Sequence, residues 1–147
     1  MIIDKTPDRA DTIKLLRQSD IIPTHQRLVI AHALFARQQH VSAEQLLDMV
    51  NQSHTEVSKA TVYNTLNLFA EKGLVREVIV DRNRVFYDTR VSAHHHFFDV
   101  DSCTLTDIEP RVMHVDYVPP LPEGTIQEGV SIVVRIRRNH APASAAA

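Results

Sequence analysis

Apolar residues recur at helical spacing along the first half of the chain. Four segments show this pattern, and a residue typical of a helix N-cap precedes the last three of them. The predicted helices span residues 8–19, Thr24 to about residue 38, the segment after Ser42 that carries Ala43 to Val50, and Ser58 to about Lys72.

Two short motifs mark the ends of these helices. Ser42-Ala43-Glu44-Gln45 has the S-x-x-Q form of a capping box, in which each side chain accepts a hydrogen bond from the other residue's backbone N–H. Gly73 is a typical residue just after a helix, because it adopts left-handed backbone angles without a Cβ clash. We therefore predict that the third helix begins after Ser42 and that the fourth stops at Gly73.

β-rich segments follow the helices. Leu74–Val80 and Arg84–Asp88 flank the turn residues Asp81-Arg82-Asn83, which predicts a hairpin. Short helices followed by a hairpin have the element order of a winged helix.

The second half of the chain predicts strands. His95–Val100 and Thr104–Glu109 surround a tight turn, and the Pro-rich residues 119–124 form a loop. Val130–Ile136 alternates as a final strand, and Val133 breaks the alternation as a strand covered on both faces would.

These elements predict an α+β protein. A winged helix-turn-helix domain occupies residues 1–90, a smaller domain residues 91–138, and a disordered tail residues 139–147. A segment of about 45 residues is too small to hold a core of its own. A homodimer joined through its apolar strands is the economical answer, and it would present two winged helices to a palindromic DNA site.

Composition narrows the function classes only a little. The formal net charge of −2 excludes a global attraction to nucleic acid, so a DNA-binding surface has to be local. Cys103 is the only cysteine, which excludes an internal disulfide and a CxxC zinc pair. No apolar run approaches the ~20 residues of a membrane span, and the N-terminus lacks a signal-peptide pattern, so we expect a cytoplasmic protein without a membrane partner.

One face of the fourth predicted helix carries small and amide side chains. Ala60, Asn64 and Asn67 lie on it, with Tyr63 and Lys59 nearby. Asn pairs bidentately with adenine, and Ala or a Thr methyl group meets the thymine methyl group, as major-groove reading requires. A merely solvated helix face explains the same composition at least as well.

His94-His95-His96 runs into an aromatic segment and is hard to explain by packing alone. In a strand, His94 and His96 share one side and His95 points to the other. If the hairpin turns on Asp101-Ser102, then His96 faces Asp107 and His94 faces Glu109, close enough to share a cation. His95 is then a second-site ligand, a haem ligand or a solvent-facing residue, and the residues alone do not choose among these.

Five motifs occur together along this chain. They are Pro23-Thr24-x-x-Arg27, His40-Val41-Ser42-Ala43-Glu44, Ser58-x-Ala60-Thr61-Val62-Tyr63-x-Thr65-Leu66 and Lys72-Gly73-Leu74-Val75, together with the His-rich run. Through them the sequence resembles the Fur family of metal-responsive repressors, over nearly the whole chain to about residue 138. Within that family it is most similar to the Irr branch of iron- and haem-responsive regulators, through Asn64, the run from Asp88 to Phe98 and the ending Pro122-Glu123-Gly124.

The resemblance implies an N-terminal winged-helix domain, a small α/β dimerisation domain and a regulatory metal site at the hinge between them. The implied metal ligands are His40, Asp88, His94, His96 and Asp107. Their nitrogen and oxygen donors suit Fe(II) or Mn(II), with Zn(II) as a further possibility in vitro. Their acidic pattern is that of the peroxide-sensing PerR branch. Haem is a further candidate ligand, for His94, His95 or His96.

Two departures from the family pattern matter. The first structural-zinc CxxC falls on Asp99 and Ser102, and the second pair is absent, so we expect no structural zinc. The N-terminal Cys-Pro haem motif found in some Irr proteins is absent as well.

The resemblance also implies double-stranded DNA as partner, with an AT-rich palindromic operator. Tyr63 and Asn64 are the best candidates for reading bases, with Ala60 and Thr61 beside them. Lys14 and Arg27 are expected to contact phosphate or the minor groove, which positions a protein without reading the major groove.

Three alternatives compete with an iron- or haem-responsive regulator. One is a peroxide sensor in which Fe(II) drives oxidation of a ligand His. The second is a metalloenzyme, which the sequence disfavours because no general base stands out beside the ligands. The third is a metal-buffering or haem-carrying protein that binds no specific DNA. We expect a regulator without catalytic residues.

Overall fold

A computed structural model of the chain describes residues 7–53 and 56–140. It divides into two compact units, Met1–Val91 and Ser92–Ala147, each of which is considered by itself. None of the helices in the described residues is long and apolar enough to cross a membrane.

The first unit contains the four expected helices and a small sheet. The second helix ends about three residues earlier than the spacing predicts, and the first hairpin strand begins two residues later. In chain order the elements are α1 (Arg9–Gln18), α2 (His25–Phe35), β1 (His40–Val41), α3 (Ala43–Asn51), α4 (Lys59–Glu71), β2 (Arg76–Asp81) and β3 (Arg84–Asp88).

The caps that the sequence predicts are present. Thr24 and Ser58 each accept a hydrogen bond from the backbone N–H three residues on. Ser42 and Gln45 form the complete capping box at α3. Gly73 has a φ of +75°, the left-handed conformation expected just past α4. Local hydrogen bonding therefore determines where these helices begin and end.

One core unites the helices with the sheet. Leu34, Leu46, Leu66 and Phe69 are fully buried, and Tyr87 of β3 joins the same cluster. The sheet is antiparallel in the order β1-β3-β2. Its short strand β1 connects α2 to α3, so residues of the helical part are hydrogen-bonded directly to the hairpin. This is the predicted winged-helix order with one additional strand.

The second unit is built from β4 (His95–Asp99), β5 (Thr104–Ile108) and β6 (Val133–Ile136). The sheet order is β5-β4-β6, with β4 and β5 antiparallel and β4 and β6 parallel. Together with the helical first unit, this confirms the α+β class. The β4–β5 register is the predicted one, because the paired residues run from His95 and Ile108 to Asp99 and Thr104.

The final strand differs from its prediction. It begins at Val133 rather than Val130, and it lies at an edge of the sheet with Arg135 and Ile136 exposed. The expectation that both of its faces are covered is wrong for the single chain. Val133 and Val134 are partly buried, and β4 is the strand that pairs with them.

No helix occurs in residues 92–140 as described, so the helical part of the α/β domain that the resemblance implies is not among these elements. Pro119, Pro120 and Pro122 interrupt the connection between β5 and β6, because proline cannot supply a helical N–H. Residues 139 and 140 have no regular structure, and the rest of the predicted disordered tail lies outside the described residues.

Candidate metal centre and DNA-binding surface

Two imidazoles of the second unit converge on one carboxylate. Asp107 lies directly opposite His96 in the β4–β5 ladder. Its Oδ1 is 3.1 Å from Nε2 of His94 and 3.3 Å from Nε2 of His96. The two rings are 4.4 Å apart between centroids, and the two histidines are 2% and 0% exposed. The ligand atoms of all three residues lie within 4.8 Å of one another.

A backbone carbonyl orients His94. Its Nδ1 lies 2.7 Å from the Ser92 oxygen, and since a carbonyl only accepts, Nδ1 carries the proton. Nε2, the other ring nitrogen, faces Oδ1 of Asp107 and is the atom that a neutral imidazole offers to a cation. Metal-ligating histidines are held by this kind of second hydrogen bond.

The chemistry of this donor set fits a divalent cation. Two buried imidazole nitrogens converge on an oxygen of the partly exposed Asp107 carboxylate, and no thiolate is among them. Two protonated imidazoles at this separation would repel each other, whereas one cation would satisfy all three groups. The prediction that Glu109 faces His94 is wrong, because the ladder ends at His95 and Ile108 and Glu109 is exposed.

The first unit carries a smaller pair of the same kind. His40 and Asp88 are direct partners in the β1–β3 pairing, and Nε2 of His40 is 3.5 Å from Oδ2 of Asp88. Asp88 is 1% exposed, and its Oδ1 accepts the N–H of Arg90 at 2.8 Å. Backbone hydrogen bonding therefore orients this carboxylate, and Oδ2 faces the imidazole.

His95 is not solvent-facing, which corrects one of its three interpretations. It is 7% exposed, and its Nδ1 accepts the N–H of Ile132 at 3.1 Å. This bond joins β4 to the segment entering β6, and it gives His95 a structural task on the opposite side of the strand from His96. The sequence could not show this, because Ile132 is 37 residues away along the chain.

The predicted DNA-reading residues lie on the solvent side of α4. Ala60 and Asn64 are exposed, Thr61 and Tyr63 are half-buried, and Val62 and Leu66 fill the core behind them. Of the two basic candidates, Lys14 is exposed on α1. Arg27, half-buried on α2, donates from Nη1 to the Ile22 carbonyl at 2.9 Å.

Residues 18–115, more than half of the chain, match the profile of the Ferric uptake regulator family. The chain belongs to this family. The family assignment confirms the resemblance at that level; the Irr branch stays a prediction.

Individual relatives agree with the assignment. The peroxide-responsive repressor PerR of Staphylococcus aureus is 29% identical over 107 residues, which cover 72% of each chain. The ferric uptake regulator of Pseudomonas aeruginosa, solved with manganese, has a TM-score of 0.63 at 23% identity, over 85% of this chain and 96% of that one. The Vibrio cholerae regulator Fur has a TM-score of 0.67 at 19% identity, over 87% and 100%. These two structures support the fold.

Members of the Fur family are metal-responsive transcriptional regulators that bind DNA as dimers.

At the position of the family's first CxxC, this chain has a hydrogen-bonded turn. Oδ1 of Asp99 accepts the backbone N–H groups of Asp101 and Ser102 at 3.0 and 3.2 Å. Its Oδ2 is 3.2 Å from Nε of Arg138, and the Arg138 N–H donates to Asp101. The pKa of Asp99 is lowered most strongly by the hydrogen bond from Ser102, and further by the one from Asp101 and by the charge of Arg138. An ionised carboxylate thus links the β4–β5 turn to the residues after β6.

One contact on the α4 surface has no counterpart in the sequence prediction. The Tyr63 hydroxyl donates to Oε1 of Glu44 at 2.6 Å, across the α3–α4 packing. In the sequence, Glu44 stands inside the capping-box stretch and at the end of the motif His40-Val41-Ser42-Ala43-Glu44, and nothing local links it to a residue 19 positions away.

Proposed function

We propose that this chain is a DNA-binding transcriptional regulator whose DNA binding is set by a divalent cation. The observation that carries the proposal is the convergence of His94 and His96 on one oxygen of Asp107. Within a family of metal-responsive regulators, a cluster of two buried imidazoles and one partly exposed carboxylate is best explained as the sensing site.

We further propose that His40 and Asp88 complete the ligand set. Chain connectivity supports this, because Asp88 and His94 are six residues apart and cannot be separated by more than about 22 Å. Each unit would then supply part of one site. A cation bound by both would favour one arrangement of the units through its differential affinity for the two states.

The donors favour Fe(II) or Mn(II) as the physiological ion, with Zn(II) able to bind in vitro. The manganese present in the Pseudomonas aeruginosa structure supports a site of this type in the fold. When bound, the ion supplies the positive charge that holds the carboxylates and imidazoles together. The protein residues orient it, through the Ser92 carbonyl on His94 and the Arg90 N–H on Asp88.

The DNA partner is proposed as a palindromic, AT-rich operator bound by a homodimer. Asn64 and Tyr63 would read bases, with Ala60 and Thr61 beside them, while Lys14 and Arg27 contact the backbone. The exposed apolar residues of the second unit support dimerisation there, since a three-stranded sheet does not cover them. They include Phe97, Val115, Tyr117 and Ile136.

For the effector we propose iron, in the manner of the Irr branch that the sequence resembles. We favour the iron ion over haem as the effector, because His94, His95 and His96 are all buried and a porphyrin needs an open apolar cleft. The second candidate is peroxide sensing through Fe(II), supported by the PerR relative and by the carboxylate at position 107.

The test is binding to an operator. A duplex is selected from a random pool, and binding is measured against a scrambled duplex with Fe(II), Mn(II), Zn(II) and haem in turn. A sequence preference that depends on one of these ligands supports the proposal, and the absence of a preference under every condition overturns it.

The double variant His94→Ala/His96→Ala should lose the ligand response of DNA binding while it keeps the dimer. Mass spectrometry after peroxide treatment of the Fe(II) form separates the two candidates, because only a peroxide sensor gains oxygen on a ligand histidine.

A further inference from the structure

Three side chains form a closed cluster at the front of α4, here called the Glu44 cluster: Glu44, Lys59 and Tyr63. Oε1 of Glu44 accepts the Tyr63 hydroxyl at 2.6 Å and lies 3.6 Å from Nζ of Lys59. The same ammonium group lies 5.7 Å from the centre of the Tyr63 ring. Each member of the cluster therefore contacts the other two.

We propose that Glu44 is a positioning residue for DNA recognition, acting through Tyr63 and Lys59. This inference rests on the proposed function as a DNA-binding regulator. With its hydroxyl held by Glu44, Tyr63 presents its ring rather than its hydroxyl to the bases, and a ring suits the apolar methyl group of thymine. With its charge offset by Glu44, Lys59 attracts phosphate less strongly.

Stability does not explain this arrangement. The Glu44 and Lys59 side chains are 59% and 63% exposed, and ion pairs at such positions contribute little to folding. A carboxylate beside a DNA-reading helix also repels phosphate, which lowers affinity for every sequence alike. This loss of affinity increases specificity if it suppresses binding to the wrong sequences, because specificity often depends on a repulsive group as well as an attractive one.

The charges of the cluster agree with this role. The hydrogen bond from Tyr63 lowers the pKa of Glu44, and Lys59 lowers it further. The same bond raises the pKa of Tyr63. Glu44 is therefore ionised at neutral pH, and the Tyr63 hydroxyl keeps the proton that it donates.

The test compares Glu44→Ala, Tyr63→Phe and the double variant with Glu71→Ala, which removes one exposed carboxylate from the far end of α4. Binding to the selected and the scrambled duplex is measured over a series of salt concentrations with the full-length protein, in the ligand condition under which the wild type shows its strongest sequence preference. Circular dichroism verifies that each variant is folded.

Glu44→Ala should weaken binding to the selected duplex by about threefold to tenfold, the cost of ordering one side chain on binding. It should tighten binding to the scrambled duplex, because Lys59 gains one phosphate contact. The slope of log K against log salt concentration should then become steeper by about 0.9. Tyr63→Phe should weaken specific binding to a similar extent, and the double variant should be no worse than Glu44→Ala. The inference would be overturned if the double variant lost affinity by the product of the two single losses. It would also be overturned if Glu44→Ala bound both duplexes as Glu71→Ala does.

A readout without DNA separates this inference from the proposed function. Loss of the Glu44 carboxylate should lower the pKa of one tyrosine in a spectrophotometric titration, and Tyr63→Phe should remove that tyrosine from the curve. An unchanged titration in Glu44→Ala shows that the contact is absent and overturns the inference. A wild-type protein that prefers no sequence overturns the proposed function and this inference together, whereas a preference that Glu44→Ala leaves intact overturns this inference alone.

Discussion

His96 and Asp107 face each other across the β4–β5 hairpin, with 3.3 Å between Nε2 and Oδ1. The His94 imidazole lies against the same oxygen, although His94 itself precedes the paired residues. Strand pairing, which depends on turn position and on which face is buried, thus brings His96 to Asp107, and the residue just before β4 adds the third candidate ligand. The function proposed for this chain depends on that register.

Removal of Asp107 should abolish tight metal binding. Asp107→Ala removes the carboxylate on which both imidazoles converge, so the affinity for Mn(II) should fall by at least about 100-fold, the upper end of what second-shell changes alone cost. Isothermal titration calorimetry of the chelator-treated protein measures this without DNA. His114→Ala is the matched control, because His114 pairs with Asp116 on the exposed surface. Equal affinities in both variants would contradict the site.

His40 tests whether the first unit contributes a ligand. If the ion is bound by both units, His40→Ala should weaken Mn(II) binding by about tenfold or more and should also remove the metal response of DNA binding. The control is His32→Ala, on the exposed surface of α2. A His40→Ala protein with wild-type metal affinity would exclude His40 from the ligand set.

Asp99 should stabilise the second unit in a pH-dependent way. Hydrogen bonds from the turn, and Arg138 beside it, lower its pKa from the ordinary 3.8. Its contribution is therefore complete above that value and disappears as the pH falls through the lower, folded-state pKa. Asp99→Asn should lower the midpoint of urea unfolding at pH 7, and the difference from wild type should shrink below about pH 3.8.

The control for Asp99 is Glu123→Gln, which makes the same charge change in an exposed loop of the same unit. Glu123→Gln should leave the midpoint of urea unfolding unchanged both at pH 7 and below about pH 3.8. A difference between Asp99→Asn and wild type that stays constant down to pH 3 would show that packing, rather than the ionised carboxylate, is what the variant loses.

Local features of the structure were predictable from the sequence. The capping box at Ser42, the N-caps at Thr24 and Ser58 and the left-handed Gly73 depend on residues a few positions apart. The β4–β5 register was predictable as well, because a turn position determines all of the pairs in a hairpin. Where distant segments meet, the prediction for β6 was wrong, because its edge is exposed, and the sequence left open the role of His95, which the structure buries.

By itself, the sequence determined the helices, the hairpins, the family and the identity of the candidate ligands, since each follows from local periodicity, capping or a motif. Only the tertiary structure decided that Ser92 orients His94, that His95 bonds to Ile132 and that Glu44 holds Tyr63. The hydrogen bond between His94 and the Ser92 carbonyl depends on the path of the backbone just before β4. The other two join residues 37 and 19 positions apart, and no local pattern encodes a side-chain hydrogen bond that forms only after separate elements have packed.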